Sequence, residues 1–276
     1  MSRSFAPIAW LKLIHPAPAV AVMLLAAVLG AILLSQAGIA LGERLALTVA
    51  AVAGSQVFTG AVNDLVDRGR DAAAGRLDKP LATGAATPEA AVWVASAGLA
   101  VQLAASLRLG VLPLALGVAA TLSALAYNLW LSRTPLSVVP YVVSFSLLPL
   151  WIAAGVGVPL ERVLPGVPLV GPFAAAAHLA NLGRDWDADA ELGSRSLAQV
   201  LGRSTAHRMA YGLALAVGGG IGTAFLLGGQ ITAPTLLLGL LGLAAVAQGY
   251  ASSRRLWYGM LLAAVCWTAA WAISTG

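Results

Sequence analysis

The chain of 276 residues is 59% hydrophobic and only 10% charged, with a mean hydropathy of +0.87, whereas soluble domains carry about a quarter of their residues as charges. That balance excludes a water-soluble globular protein, and the net charge of +5 at pH 7 does not call for nucleic acid once the positive residues are sorted by loop. An all-α, polytopic integral membrane protein remains, because apolar stretches long enough to cross roughly 30 Å of hydrocarbon recur and no barrel-like alternation competes.

Taken in chain order, nine transmembrane helices are predicted, at 17–38, 45–62, 89–107, 111–131, 136–157, 166–182, 206–228, 233–250 and 256–273, in a single domain over 1–276. The basic N-terminal MSRSFAPIAWLKLIHP precedes an apolar run too long for a signal-peptide core and without a convincing cleavage site, so this run is read as the first span. Cys266, in the last apolar run, reads as packing. With the N-terminus cytoplasmic, thirteen of the 16 Lys and Arg fall on the inner side and only Arg44, Arg108 and Arg162 on the outer. Arg3 is among the inner thirteen. This bias puts the N-terminus inside and the C-terminus outside. Nine of the 11 acids also fall inside, and acids carry little topogenic weight, so they need another cause.

That cause is a repeat. GAVNDLVDRGRDAAAG (60–75) and HLANLGRDWDADAELG (178–193) align with a shift of 118, pairing Asn63 with Asn181, Asp67 with Asp185, Asp71 with Asp189 and Gly75 with Gly193. The separation suits two four-helix halves plus one helix, and a site where the halves meet. Each copy ends an even-numbered span, so both emerge on one face. At about 100° per residue, Asn63, Asp67 and Asp71 line one helical stripe, and Asn181, Asp185 and Asp189 another. Carboxylates so spaced repel, and at a helix C-terminus they oppose the macrodipole, so a cation should neutralise them. Two oxygen ladders suit Mg2+, which keeps waters and completes its shell with substrate phosphates. Asp187 falls on the other side of its helix, and Asp64 lies beside the main stripe. Arg68, Arg70, Arg76, Lys79 and Arg184 are available to hold the remaining phosphate oxygens.

On these residues the chain resembles the UbiA superfamily of intramembrane prenyltransferases. The resemblance rests on NDLVDRGRD as N-D-x2-D-x3-D after the second span and DWDAD as D-x3-D after the sixth. It also rests on KPLATG (79–84), where the family usually has Arg-Pro-Leu-x-Ser/Thr-Gly, and on SLAQVLG (196–202). It implies that Asn63, Asp67, Asp71, Asp185 and Asp189 bind a diphosphate through Mg2+, with Asp64 assisting. Lys12, in the LKLIHP segment, is implied to reach the phosphates. Arg70, Lys79, Tyr127, Arg133 and Asn181 complete the expected substrate site. Relatives that prenylate aromatic rings often carry Tyr-x3-Lys after the fourth helix; here YNLWLSR has Tyr127, no Lys, and Arg133 two positions beyond the expected place. His15 stands where a basic residue is common. Asn128 and Asn181 read equally as contacts between helices, and His178 equally as a pocket residue or a core histidine.

The implied reaction is Mg2+-dependent transfer of a prenyl group from an allylic prenyl diphosphate to an unidentified small or lipid acceptor in the bilayer. The implied location is a bacterial or archaeal plasma membrane, with the site on the cytoplasmic side and no nucleic-acid partner. Tyr127 and Trp130 are candidates to shield an allylic cation, while Trp151, Trp257, Tyr258, Trp267 and Trp271 read as interface anchors. A cation transporter built on the repeated carboxylates is the alternative from another class. Phosphoribosyl transfer to a lipid phosphate and terpene cyclisation are alternatives within the enzymes.

Overall fold

The computed structural model describes residues 6–191 and 193–274; Arg3, counted above on the inner side, lies outside them. Among the described residues the chain is all-helical, with no strand. A short helix α1 (Ala6–Leu13) precedes α2 (Pro16–Gln36) and α3 (Glu43–Ala73). Next come the short α4 (Pro80–Thr83), then α5 (Pro88–Leu109), α6 (Val111–Ala126) and α7 (Val138–Val156). The second half holds α8 (Val167–Arg184), the short α9 (Trp186–Glu191) and α10 (Leu197–Leu201), then α11 (Arg203–Leu227), α12 (Ala233–Ala247) and α13 (Ser253–Ser274).

Helix starts and stops follow local chemistry. Pro88 opens α5 behind Thr87, whose hydroxyl accepts from the Ala90 N–H at 3.2 Å, and Thr232 and Thr235 cap α12 reciprocally; each arrangement satisfies N–H groups left over at a helix start. Gly157, at φ 84°, ends α7, in a left-handed conformation that costs a residue with a Cβ.

Each long helix packs against the next along the chain, from α2·α3, α3·α5 and α5·α6 through α8·α11 to α12·α13, and α13 returns to α2 to close a ring. Among the described residues seven helical segments are long and apolar enough to cross a membrane: α2, α3, α5, α6 with its continuation to Leu131, α7 with the turn before it, α11 and α13. The other two ring members are α12, a shorter apolar helix of 15 residues, and α8, whose last two turns carry His178, Asn181 and Arg184.

The helices touch through small residues, as expected where lipid gives no hydrophobic push between them. A Cβ built on Gly54 of α3 would stand 2.5 Å from the Gly98 carbonyl oxygen of α5, so the two backbones are in direct contact. Buried polar groups between α3, α5 and α6 satisfy one another: Ser55 and Thr121 share a hydrogen bond of 2.8 Å, and the Gln102 amide donates to Thr121 at 2.8 Å and to the Gly117 carbonyl at 3.1 Å. Cys266, on α13, is 7% exposed.

Candidate active site

The second helix outruns its predicted end. α3 continues eleven residues past 62, to Ala73, so Asn63, Asp67 and Asp71 do share one helical face. What stops it is the glycine of the repeat: Gly75 takes φ 63°, and the Arg76 N–H turns back to the Asp71 carbonyl at 2.9 Å. The second copy closes in the same way, with Gly193 at φ 67° and the Ser194 N–H on the Asp189 carbonyl at 2.9 Å. Both ends are helix stops that need a left-handed residue. The repeat also takes in a second pair of glycines. Gly84, at φ 71°, ends α4, and Gly202, at φ 83° and again 118 positions on, ends α10.

The copies differ in one respect. Asn181, Asp185 and Asp189 were expected on a single helix, but α8 stops at Arg184, Asp185 leaves the helical region at φ −102° and ψ 17°, and α9 starts at Trp186. Gly183 and Asp185, both weak helix formers, sit at this break. One hydrogen bond, from the Asp189 N–H to the Asp185 carbonyl at 3.1 Å, carries the turn across it.

The two acidic segments converge on one cavity of about 920 Å³ inside the ring, and every predicted site residue except Asp64 lines it. Basic side chains of the first segment reach acids of the second: Arg70 lies 3.8 Å from Asp189 and Arg76 lies 3.6 Å from Asp185. Within the first segment, Asp67 accepts from Arg133 at 2.5 Å on one oxygen and from Asn63 at 3.2 Å on the other. Asp71 lies 4.0 Å from the Lys79 ammonium. Arg184 donates to Asp185 at 2.9 Å.

Asp64 sits apart from the cavity at 1% exposure. Its Oδ1 accepts from Lys79 at 2.5 Å and lies 2.9 Å from His15 Nε2. It therefore anchors two basic residues of the cavity rim. His15 joins α1 to α2 at φ 50°, the only non-glycine with positive φ among the described residues, a conformation that costs energy unless its surroundings enforce it. Asp187 faces outward and pairs with Arg203 at 3.0 Å, both mostly exposed.

The charges around the cavity are uneven. Hydrogen bonding to Arg76 holds the Asp78 carboxyl down at about 2, and the same pair raises the Arg76 guanidinium further above its ordinary value. Asp189 goes the other way: burial, with Asp185 adding to it, pushes its carboxyl up to about 6, and Arg70 offsets only part of this. It is a carboxylate short of positive charge. Among the described residues no three His, Cys, Asp or Glu side chains stand close enough to hold a metal ion by themselves. The donor set is all oxygen and split between two walls, which fits a hard cation that shares its shell with a ligand's phosphates.

Aromatic residues depart most from expectation. Trp130 is 68% exposed and lies outside the cavity, whereas Trp151, Trp257 and Trp267, expected as interface anchors, are 2%, 5% and 3% exposed and line it. The reason for Trp130 is a π-helical turn, Tyr127–Leu131, at the end of α6. The Ser132 N–H bonds back five residues to the Tyr127 carbonyl at 2.9 Å, so Ser132 and Arg133 enter the cavity while Trp130 and Leu131 do not. Such turns inside α-helices recur at functional sites. Tyr127 stacks edge-on against Tyr141 at 5.3 Å, and Tyr141 against His178 at 4.5 Å. His178 is fully buried and bonds Ser137 at 2.9 Å, a packing role outside the cavity lining. Asn128 donates to the Thr59 carbonyl at 2.8 Å, tying the π turn to α3.

Comparison with known proteins adds to this geometry. Residues 23–256 match the model of the UbiA prenyltransferase family. A UbiA homolog from Archaeoglobus fulgidus, solved bound to GPP and Mg2+, is similar with a TM-score of 0.70 at 18% identity, over 97% of this chain and 100% of that one. A UbiA homolog from Aeropyrum pernix K1, solved without ligand, gives 0.67 at 22% identity over 89% and 94% of the two chains. A digeranylgeranylglyceryl phosphate synthase gives 0.67 at 15% identity over 98% of each. No curated protein matches the sequence.

Proposed function

The chain belongs to the UbiA prenyltransferase family, and from that premise we propose that it transfers a prenyl group from an allylic prenyl diphosphate to a small or lipid acceptor within the membrane. The observation that carries this reading is the meeting of two acidic segments, cross-linked as Arg70–Asp189 and Arg76–Asp185, at one end of an otherwise apolar cavity. The binding of GPP and Mg2+ by the Archaeoglobus fulgidus homolog supports it. The acidic end lies on the cytoplasmic side, and the nine ring helices all span the bilayer.

In this reading Asn63, Asp67 and Asp71 from one wall and Asp185 and Asp189 from the other hold Mg2+ together with the diphosphate. The metal supplies Lewis-acid charge to the leaving group. Arg133, Lys79, Arg70 and Lys12 take the phosphate oxygens left over, so negative charge developing on diphosphate meets fixed donors. The bond between the allylic carbon and the diphosphate oxygen breaks with its electron pair going to diphosphate. A nucleophilic atom of the acceptor then bonds the allylic carbon and loses its proton. Tyr127 and Tyr141, whose rings border the cavity beside the acidic end, present π faces to the developing cation.

The test is release of diphosphate from prenyl diphosphate by purified protein with and without Mg2+, with products separated by mass. Loss of release on chelation, and in Asp67→Asn and Asp185→Asn protein that still inserts and folds, is the expected result. Wild-type rates in either variant would remove the metal assignment. A cation transporter would release nothing, and phosphoribosyl transfer or terpene cyclisation would give products of other mass.

A further inference from the structure

The cavity runs far beyond what a diphosphate needs. Along α8 its lining extends from Asn181 through Ala177, Phe173 and Val170 to Gly166, which is about 22 Å of helix at 1.5 Å per residue. Along α13 it extends from Trp257 through Leu261, Ala264 and Thr268 to Trp271, about 21 Å. Between these limits Val170, Phe173, Ala177, Leu261, Ala264 and Thr268 all keep part of their surface exposed. At the far end the space shuts: Trp151 is 2%, Ile152 1% and Val163 5% exposed. There the walls also meet, since a Cβ on Gly166 would stand 3.1 Å from the Trp271 ring nitrogen. The result is an apolar shaft about 20 Å deep, open at the acidic end.

Three bonds of an extended chain span about 3.5 Å, so the four-bond repeat of an isoprene unit spans about 4.5 Å. Four units then reach about 18 Å, five reach the floor, and two leave half the shaft empty. We propose that the shaft measures the isoprenoid, taking tails of four to five units and favouring four over two; this rests on the prenyl-diphosphate reading above. Each unit up to the fourth brings five more carbons against the apolar walls. A tail beyond the fifth finds no further wall.

The experiment measures binding of non-hydrolysable geranyl, farnesyl, geranylgeranyl and nonaprenyl S-thiolodiphosphates to purified protein with Mg2+. Geranylgeranyl should bind at least about tenfold tighter than geranyl, a deliberately small step because a micelle already shields the tail from water. The nonaprenyl compound should gain nothing over geranylgeranyl. Two plugs set shorter rulers. Ala264→Phe, about 10 Å along α13 from Trp257, should abolish the gain beyond two units. Val170→Phe, about 16 Å along α8 from Asn181, should keep the gain at three units and lose it at four. Retained geranyl binding reports that each variant is folded; where a variant does not fold, the wild-type ranking decides. Equal wild-type affinity for all lengths, or folded plugged variants with unchanged ranking, overturns the ruler. Failure of wild-type protein to bind any tail overturns the prenyl-diphosphate reading itself.

Discussion

Asp64 and Asp67 are three residues apart on α3, yet their surroundings give them different work. Asp64 is buried and holds Lys79 and His15 on one oxygen, while Asp67 faces the cavity, 26% exposed, with Arg133 against it. Replacing Asp64 by Asn removes the charge that anchors both partners and leaves the part-buried Lys79 ammonium with only the more distant Asp71, 4.0 Å away. Asp64→Asn is therefore expected to cost about 1–3 kcal/mol, read as a lower unfolding midpoint in detergent. Asp67→Asn should change that midpoint little, because losing the part-exposed ion pair with Arg133, worth up to about 1 kcal/mol, is offset by relieved repulsion from Asp71 one turn on. Its turnover should fall on the order of a hundredfold, the usual result of losing one electrostatic contact to the reacting group. Asp187→Asn should do neither, since Asp187 is mostly exposed and pairs with Arg203 at the surface. If the Asp64 and Asp67 variants exchanged phenotypes, the division into anchor and ligand would be wrong.

Between helices, contact distance overrides intrinsic propensity. Ala is favoured over Gly within a helix by about 1 kcal/mol, so Gly54→Ala would stabilise an isolated α3. In the ring the added methyl meets the Gly98 carbonyl at 2.5 Å, a backbone atom that cannot rotate away, and overpacking of this kind costs about 1–3 kcal/mol. The clash wins, and thermal unfolding of Gly54→Ala should occur below the wild-type midpoint; a rise would show that α3 and α5 part more easily than their packing implies. The same dependence on tertiary context separates what could be read from the sequence from what could not. Asn63, Asp67 and Asp71 were legible as one stripe because α3 keeps a regular 3.6-residue period to its glycine stop. The bend at Asp185 was not, because nothing in LGRDWDAD outlaws a continuing helix. The π turn was hidden for a similar reason: a period of four places Leu131 under Tyr127, and only the observed bond from Ser132 to Tyr127 moves Arg133 onto Asp67. The Gly84 and Gly202 pair was available at the same 118-residue offset, but as helix stops the two glycines carry no side-chain chemistry to draw notice.

At the scale of the molecule, charge and shape point the same way. The ring's interior is apolar for most of its length, and both acidic segments open at a single end, where most of the 16 Lys and Arg also lie in sequence. Burial was the part that composition obscured, since tryptophans lining an internal shaft and tryptophans anchored at an interface have the same hydropathy. The proposed orientation rests on the positive-inside bias, and the fold makes it measurable. Ile39, 47% exposed before α3, and Leu77, 86% exposed after it, sit at opposite ends of a 31-residue helix, about 46 Å apart along its axis. The single native thiol, Cys266, is buried, so an impermeant maleimide reads only an introduced cysteine. In intact cells Ile39→Cys should label and Leu77→Cys should not, with Leu77→Cys labelling once the membrane is permeabilised. The reverse pattern would turn the acidic end outward, away from a cytoplasmic supply of Mg2+ and prenyl diphosphate, and the cytoplasmic assignment of the site would fall with it.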